Sequence, residues 1–178
     1  MKKKIIINRN KGILFWVTGF SGSGKTKISK KILKKISKLY GPTIEVSGDE
    51  WRGVTNFKKY DKKSRIEGLL RLHRFTKMIT DKKINLILNC IGMYNRARKW
   101  NRLNIDNYVE IYIEADLKKI IYLKKKPIYL TNKKNIVGLD IKAELPKNPH
   151  IKIVNPLNKP LDNLAKELLL KIKKLVIT

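Results

Sequence analysis

The chain has 178 residues, 42% of them apolar, which is enough for one domain with a large buried core. Its apolar runs are too short to span a bilayer, its basic start lacks the apolar stretch of a signal peptide, and its single cysteine excludes an internal disulfide framework. These features predict a single cytoplasmic domain, residues 1–178, without a membrane partner.

The charge is strongly positive: 42 Lys plus Arg against 14 Asp plus Glu give a formal net charge of +28. Such a charge is typical of nucleic-acid-binding proteins. Here, however, the lysines are spread along the chain inside amphipathic patterns, without a basic tail or an aromatic RNA-binding motif. We interpret the charge mainly as a compositional bias that places lysines on solvated helix faces, and we do not expect nucleic acid to be the partner.

Apolar runs alternate with helical patterns along the chain. Strands are predicted at IIIN, ILFWVT, TIEV, INLILNC, YVEIYIE and HIKIV, and helices at KISKKILKKISKLY, KSRIEGLLRLHRFTKMIT, NRARKWNRL, LKKIIYLKKK and PLDNLAKELLLKIKKL. Short connections between these elements predict an α/β fold, with a mostly parallel sheet and helices on both faces. Residues 124–148 are polar, Lys-rich and without clear periodicity, so we predict that they form a lid over an active site.

The stretch GFSGSGKT fits the phosphate-loop pattern G-x-x-x-x-G-K-[ST] in full, directly between a predicted strand and a predicted helix. The predicted ATP-binding residues are Gly19, Ser21, Gly22, Ser23, Gly24, Lys25 and Thr26. The loop amides would face phosphate oxygens, Lys25 would reach the β- and γ-phosphates, and the Thr26 hydroxyl would ligate Mg²⁺. The motif therefore predicts a P-loop NTPase fold that binds ATP or GTP.

The rest of the sequence favours a small-molecule kinase. It has no guanine-reading N-K-x-D, and INLILNCIG lacks the acidic strand end typical of larger ATPases. GDEWR follows a predicted strand, so Asp49 should face Lys25 across the cleft, where its carboxylate could accept a hydroxyl proton or hold the water shell of Mg²⁺. Arg52 could clamp an acceptor phosphate. Alternatively, Asp49 only caps a helix and Arg52 lies on the surface.

The ordered set of motifs resembles the adenylylsulfate kinase family. GFSGSGKT, GDEWR, SRIEGLLR, GMYNRAR, KPIY and GLD with ELPKNPHI follow the order of the family patterns TGLSGSGKT, DGDxxR, DRxENIRR, SPYRxxR, KGLY and TGIDxxYExP, over residues 12–175. The resemblance implies transfer of the γ-phosphoryl group of ATP to the ribose 3′-hydroxyl of a nucleotide acceptor, with Mg²⁺ and in a homodimer.

By this resemblance Asp49 and Lys25 are catalytic, and Thr26 and Asp49 hold the metal. The implied acceptor-binding residues are Arg52, Tyr60, Arg65, Gly68, Tyr94, Arg98 and Lys126. Tyr60 stands where the family has a phenylalanine that stacks on the acceptor base, and a tyrosine ring can stack equally well.

The sequence also departs from the family patterns around the acceptor. Gly68 replaces an asparagine, Leu70 an arginine and Ser47 an aspartate, SPYR becomes Gly92–Asn95, and Ile136 or Val137 takes the place of a lid phenylalanine. Because losing an amide and an aromatic partner weakens discrimination for adenine, we predict cytidine diphosphoramidate, of capsule phosphoramidate pathways, as the acceptor. Adenylylsulfate, used in sulfate activation, is one alternative; a nucleic-acid-binding P-loop protein is another.

Overall fold

The centre of the fold is a five-stranded, fully parallel sheet. The computed structural model describes residues 4–131 and 134–177. Its strands are β1 (Ile5–Ile6), β2 (Leu14–Thr18), β3 (Thr43–Ser47), β4 (Asn85–Asn89), β5 (Tyr108–Glu114), β6 (Ile151–Val154) and β7 (Val176–Ile177). The main sheet has the order β3-β4-β2-β5-β6, so β2, which leads into the phosphate loop, lies at its centre. β2 is buried along its whole length, as expected for a parallel strand covered on both faces.

Helices cover both faces of this sheet. They are α1 (Lys25–Tyr40), α2 (Gly48–Thr55), α3 (Lys62–Asp81), α4 (Asn95–Asn104), α5 (Leu117–Tyr122) and α6 (Leu161–Leu175), with a 3₁₀ helix at Pro127–Leu130. α1 and α6 pack together on one face, and α3 and α4 pack together on the other. The predicted α/β class, with a parallel sheet and two helical layers, is therefore confirmed.

The two cores differ in composition. The core under α1 and α6 is mainly isoleucine, leucine and valine, whereas the core under α3 and α4 is built around Trp16. Trp16 is fully buried; its indole N–H donates to Cys90 Sγ at 3.0 Å, and its ring meets the His73 ring edge-on at 4.6 Å between centroids. Burial lowers the pKa of His73 to about 3, so this imidazole is a neutral part of the core.

On α1 and α6 the lysines face solvent, except for the buried Lys25 at the start of α1. In α1 they are Lys27, Lys30, Lys31, Lys34, Lys35 and Lys38, and in α6 they are Lys166, Lys171, Lys173 and Lys174, all exposed. This is the distribution predicted for a compositional excess of lysine, with the charge on the outer helix faces. Across residues 4–131 and 134–177, no helix is both long enough and apolar enough to cross a membrane.

Two short elements differ from the predictions. Of the predicted strand IIIN, only Ile5 and Ile6 are extended, and they pair in parallel with β7 in a separate two-stranded sheet. β7 was not predicted, because two residues are too few to show a period-two pattern. GDEWR follows β3 directly, as predicted, and forms the start of α2.

The segment 124–148 has more structure than its polar sequence indicates. Besides the 3₁₀ helix, Val137 and Ile141 form an isolated parallel bridge. Tyr129 and Ile136 are buried in a small apolar cluster that also contains Phe20 of the phosphate loop. The described part of this segment therefore packs directly on the nucleotide-binding loop, and its role as a lid stays a prediction.

Candidate active site

Three strand ends meet at one edge of the sheet and define the site. β2 runs into the phosphate loop, β3 into α2 at Gly48, and β4 into Cys90 and the residues before α4. Because β2, β3 and β4 are parallel and adjacent, their carboxyl ends open onto the same cleft.

The phosphate loop needs glycine at two turns. Gly22 and Gly24 have φ of 84° and 95°, in the left-handed region that residues with a Cβ rarely adopt. A Cβ on Gly22 would also lie 2.9 Å from Ile120 Cγ2 and 3.3 Å from Lys126 Cγ, so the start of the 124–148 segment approaches the loop closely there. The Asn155 side-chain amide donates to the Ser23 carbonyl at 2.9 Å and anchors the loop to the end of β6.

The loop presents a buried ammonium group that lacks a carboxylate partner among the described residues. Lys25 Nζ donates to the Phe20 carbonyl at 2.7 Å. Burial lowers the pKa of Lys25 to about 8, against a smaller raising effect of the Asp49 charge. The buried Ser23 Oγ also has no hydrogen-bond partner within 4–131 and 134–177. A buried cation and an unpaired hydroxyl under a glycine turn suit a phosphate anion.

α2 positions Asp49 and Arg52 on its first turns. Ser47 caps the helix by accepting from the Glu50 amide at 3.1 Å, and the Glu50 carboxylate accepts from the Ser47 amide at 2.7 Å, which completes a capping box. Asp49 is thus not the capping residue, contrary to the alternative interpretation. Its side chain is 88% exposed and forms an ion pair with Arg52, so it can reach a substrate in the cleft.

A pocket beside α2 collects most of the predicted acceptor-binding residues. Arg52, Tyr60, Arg65, Gly68 and Tyr94 all line it. They come from α2, the loop after it, α3 and the residues before α4. The structure thus brings together side chains that the sequence separates by more than 40 positions.

Arg65 joins two walls of this pocket. Its Nε donates to the Tyr60 carbonyl at 2.6 Å, its Nη2 donates to the Asn135 carbonyl at 2.8 Å, and its guanidinium lies 5.1 Å from the centre of the Tyr60 ring. Beside it, burial raises the pKa of Tyr94, partly offset by the Arg65 charge. Within the described ranges the buried Tyr94 hydroxyl has no hydrogen-bond partner, so it is available to a ligand.

Two residues assigned to the acceptor by resemblance lie elsewhere. Arg98 is 4% exposed and does not line the pocket. Its guanidinium donates to Glu110 Oε1 and Asn95 Oδ1, both at 2.9 Å, and to the Glu144 carbonyl. With every nitrogen engaged within the protein, Arg98 connects α4, β5 and the 124–148 segment, which favours a structural role over the acceptor-binding role that the resemblance implies. Lys126 is exposed and lies over Gly22, beside the phosphate loop.

Further residues join the predicted acceptor-binding set in this pocket. Phe57, Trp51 and Cys90 line the pocket, as does Val137 from the 124–148 segment. Of the two candidates for the lid phenylalanine position, Val137 therefore faces the acceptor pocket, whereas Ile136 packs in the cluster with Phe20. Phe57 could have been noticed as an apolar aromatic residue in the mostly polar loop NFKKY. Its position next to Gly68 of α3 is visible only in the fold.

The metal-binding prediction rests on few protein ligands. Nowhere in the described ranges do three or more His, Cys, Asp or Glu side chains cluster as a metal site would require. Thr26, exposed at the start of α1, and Asp49 are the candidates on the two sides of the cleft. This sparse set fits Mg²⁺, which keeps several waters and takes phosphate oxygens as ligands.

Comparison with known proteins agrees with this geometry. Residues 11–154 match the family model described as adenylylsulphate kinase. The chain is 34% identical to a cytidine diphosphoramidate kinase of Campylobacter jejuni, covering 95% of this chain and 99% of that protein. It is 30% identical to an adenylyl-sulfate kinase of Clostridium kluyveri, covering 85% and 78% of the two chains.

Solved structures show the same fold. An APS kinase of Mycobacterium tuberculosis in complex with AMPPNP and APS superposes with a TM-score of 0.80, at 22% identity, covering 92% of this chain and 98% of that chain. Together with the complete phosphate loop and the match over residues 11–154, the sequence relatives settle the classification. The chain belongs to the adenylylsulfate kinase family and is an ATP-dependent phosphotransferase.

Proposed function

We propose that this kinase transfers the γ-phosphoryl group of ATP to the ribose 3′-hydroxyl of cytidine diphosphoramidate. The main support is the pocket beside the phosphate loop, which contains Arg52, Arg65 and a Tyr94 hydroxyl without a partner among the described residues. These groups suit a nucleotide with a charged diphosphate-like tail. The 34% identity to a kinase named for cytidine diphosphoramidate supports this choice of acceptor.

On the donor side, the loop amides and Lys25 would bind the triphosphate. The Lys25 ammonium would exchange the Phe20 carbonyl for β- and γ-phosphate oxygens and stabilise the charge that develops during transfer. Thr26 and Asp49 would hold Mg²⁺, which supplies charge neutralisation on the phosphates.

On the acceptor side, Asp49 would take the proton of the 3′-hydroxyl. The hydroxyl oxygen then forms a bond to the γ-phosphorus while the bond between the γ-phosphorus and the bridging oxygen of ADP breaks, and ADP leaves with that oxygen. Arg52, paired with Asp49, is positioned to bind the acceptor phosphates, and Tyr60 can stack on the base.

Adenylylsulfate is the second candidate acceptor. It is favoured by the match to the adenylylsulphate kinase model and by the 30% identity to the Clostridium kluyveri enzyme. Against it, Gly68 has no side-chain amide to offer the acceptor, and Val137 offers no aromatic ring from the 124–148 segment.

The test is to incubate the protein with Mg-ATP and each acceptor in parallel, and to follow ADP release and the phosphorylated product. We expect turnover with cytidine diphosphoramidate at a kcat/KM at least tenfold above that with adenylylsulfate. A preference for adenylylsulfate would replace the proposed acceptor by the second candidate. Absence of transfer to both would reject both. Sedimentation of the same preparation tests the homodimer, which stays a prediction.

A further inference from the structure

Gly68 lies in the interior of α3, where glycine is unfavourable. A glycine there destabilises a helix relative to alanine, and its backbone is helical, so no unusual φ requires it. The reason is steric. A Cβ on Gly68 would lie 3.0 Å from Phe57 Cε1, 3.3 Å from Cζ and 3.4 Å from Cδ1. The edge of the Phe57 ring therefore occupies the space that a side chain at position 68 would need.

The backbone before Phe57 fixes this ring in place. Asn56 ends α2 in the left-handed conformation, with φ of 48°, and the Phe57 amide then donates to the Arg52 carbonyl at 3.2 Å. Phe57 is half-buried and lines the pocket together with Arg52. Its position is thus set relative to a residue of the acceptor site.

The wall that results is apolar and bulky. Phe57 offers no hydrogen-bond donor or acceptor to a base. Trp51 lines the same pocket and is held from behind by Phe75, with 5.1 Å between the ring centres. Such a wall recognises mainly the faces and the size of a base.

We propose that Phe57, seated on Gly68, is a specificity-determining residue that restricts the acceptor to a nucleotide with a single-ring, pyrimidine base. The inference rests on the proposed function, since it assigns the same pocket to the acceptor. The two fused rings of a purine need the volume that the Phe57 ring fills, whereas a pyrimidine does not.

The experiment compares kcat/KM for cytidine diphosphoramidate and for adenylylsulfate in three variants. Phe57→Ala should shift the ratio at least tenfold toward adenylylsulfate. Gly68→Ala should lower kcat/KM for the cytidine acceptor, because its methyl group displaces the ring. Adding Phe57→Ala to Gly68→Ala should remove this loss, a coupling that only contacting residues show.

Tyr60→Ala is the matched control, since it removes an aromatic side chain from the same loop. It should weaken both acceptors by a similar factor and leave the ratio within about threefold of the wild-type value, as loss of sequence-tolerant stacking predicts. Thermal melting verifies the fold of each variant, and Phe57→Leu replaces Phe57→Ala if the latter does not fold.

The outcomes separate this inference from the proposed function. If the wild-type protein phosphorylates the cytidine acceptor but Phe57→Ala leaves the ratio unchanged, only the inference fails. If the wild-type protein prefers adenylylsulfate, both the acceptor choice and the size limit fail. If it phosphorylates neither, the proposed function fails. Calorimetric titration of CDP and of adenylylsulfate into the Mg-ADP complex then decides the inference. If Phe57→Ala changes the affinities for CDP and for adenylylsulfate by the same factor relative to wild type, the inference is overturned.

Discussion

The phosphate loop and the acceptor pocket lie in one cleft but are built differently. The loop is eight consecutive residues, Gly19–Thr26, that would bind phosphate mainly through backbone amides and one lysine. The pocket is assembled from side chains between positions 48 and 94 together with Val137. The donor site therefore depends on a local backbone shape, whereas the acceptor site can change through single side chains without disturbing ATP binding.

The two regions also differ in how they meet the 124–148 segment. At the loop the constraint is steric: a Cβ added to Gly22 would lie 3.3 Å from Lys125 Cβ and from Lys126 Cγ. At the pocket it is polar, through the hydrogen bond from Arg65 to the Asn135 carbonyl. Substitutions on the two sides should therefore have separable kinetic effects.

Lys25→Ala should have the largest effect. Removing the ammonium group that contacts the phosphates should lower kcat about 10³-fold with either acceptor. The melting temperature should not fall, because the variant also removes the desolvation penalty that lowers the pKa of Lys25 to about 8. Steady-state assays and thermal melting measure both effects.

The same variant tests the nucleic-acid alternative. That alternative would be supported if the wild-type protein showed no phosphoryl transfer and bound RNA or DNA with an affinity that falls steeply with salt. Lys25→Ala should then leave this affinity unchanged. Loss of transfer in the variant supports the kinase.

Asp49→Asn should lower kcat by about 10²-fold or more, since a general base contributes roughly 10²–10⁴-fold. The KM for ATP should change less than kcat, because the asparagine keeps an oxygen that can hold the water shell of Mg²⁺ and the loop supplies the direct phosphate contacts. Asp106→Asn is the control: that exposed carboxylate precedes β5, at the opposite edge of the sheet. An equal loss of kcat in both variants would contradict a catalytic role for Asp49.

Tyr94→Phe should affect the acceptor alone. Loss of one hydrogen bond of about 1–1.5 kcal/mol should raise the acceptor KM roughly tenfold, with the KM for ATP unchanged. Stability should be kept, since the hydroxyl has no partner among the described residues. The control is Tyr108→Phe, a buried tyrosine beside Asn101 that does not line the pocket. An unchanged acceptor KM in Tyr94→Phe would remove Tyr94 from the site.

Arg98→Met should have the smallest effect on activity and a clear effect on stability. It leaves the buried Glu110 carboxylate with Arg102 as its remaining ion-pair partner. The free energy of unfolding should fall by about 3 kcal/mol and the melting temperature by about 6–12 °C. The acceptor KM of the folded variant should stay within twofold. A large rise in acceptor KM without a change in melting temperature would return Arg98 to the acceptor site.

Sequence motifs indicated five residues that the structure places in one pocket, and two, Arg98 and Lys126, that lie outside it. An arginine can bind an acceptor phosphate or a buried glutamate, and the partner that decides this, Glu110, lies on β5. The sequence likewise did not reveal that Ser47, and not Asp49, caps α2, although Ser47 and Glu50 have the spacing of a capping box.

By itself the sequence determined the alternating fold and the phosphate loop, because both depend on neighbouring residues: apolar periodicity, and glycines at turns that only glycine adopts readily. Tertiary structure alone decided the shape of the acceptor pocket. Phe57 and Gly68 are eleven positions apart. No local sequence pattern shows that the Phe57 ring occupies the space that a side chain at position 68 would need. Such contacts form only when separate elements pack.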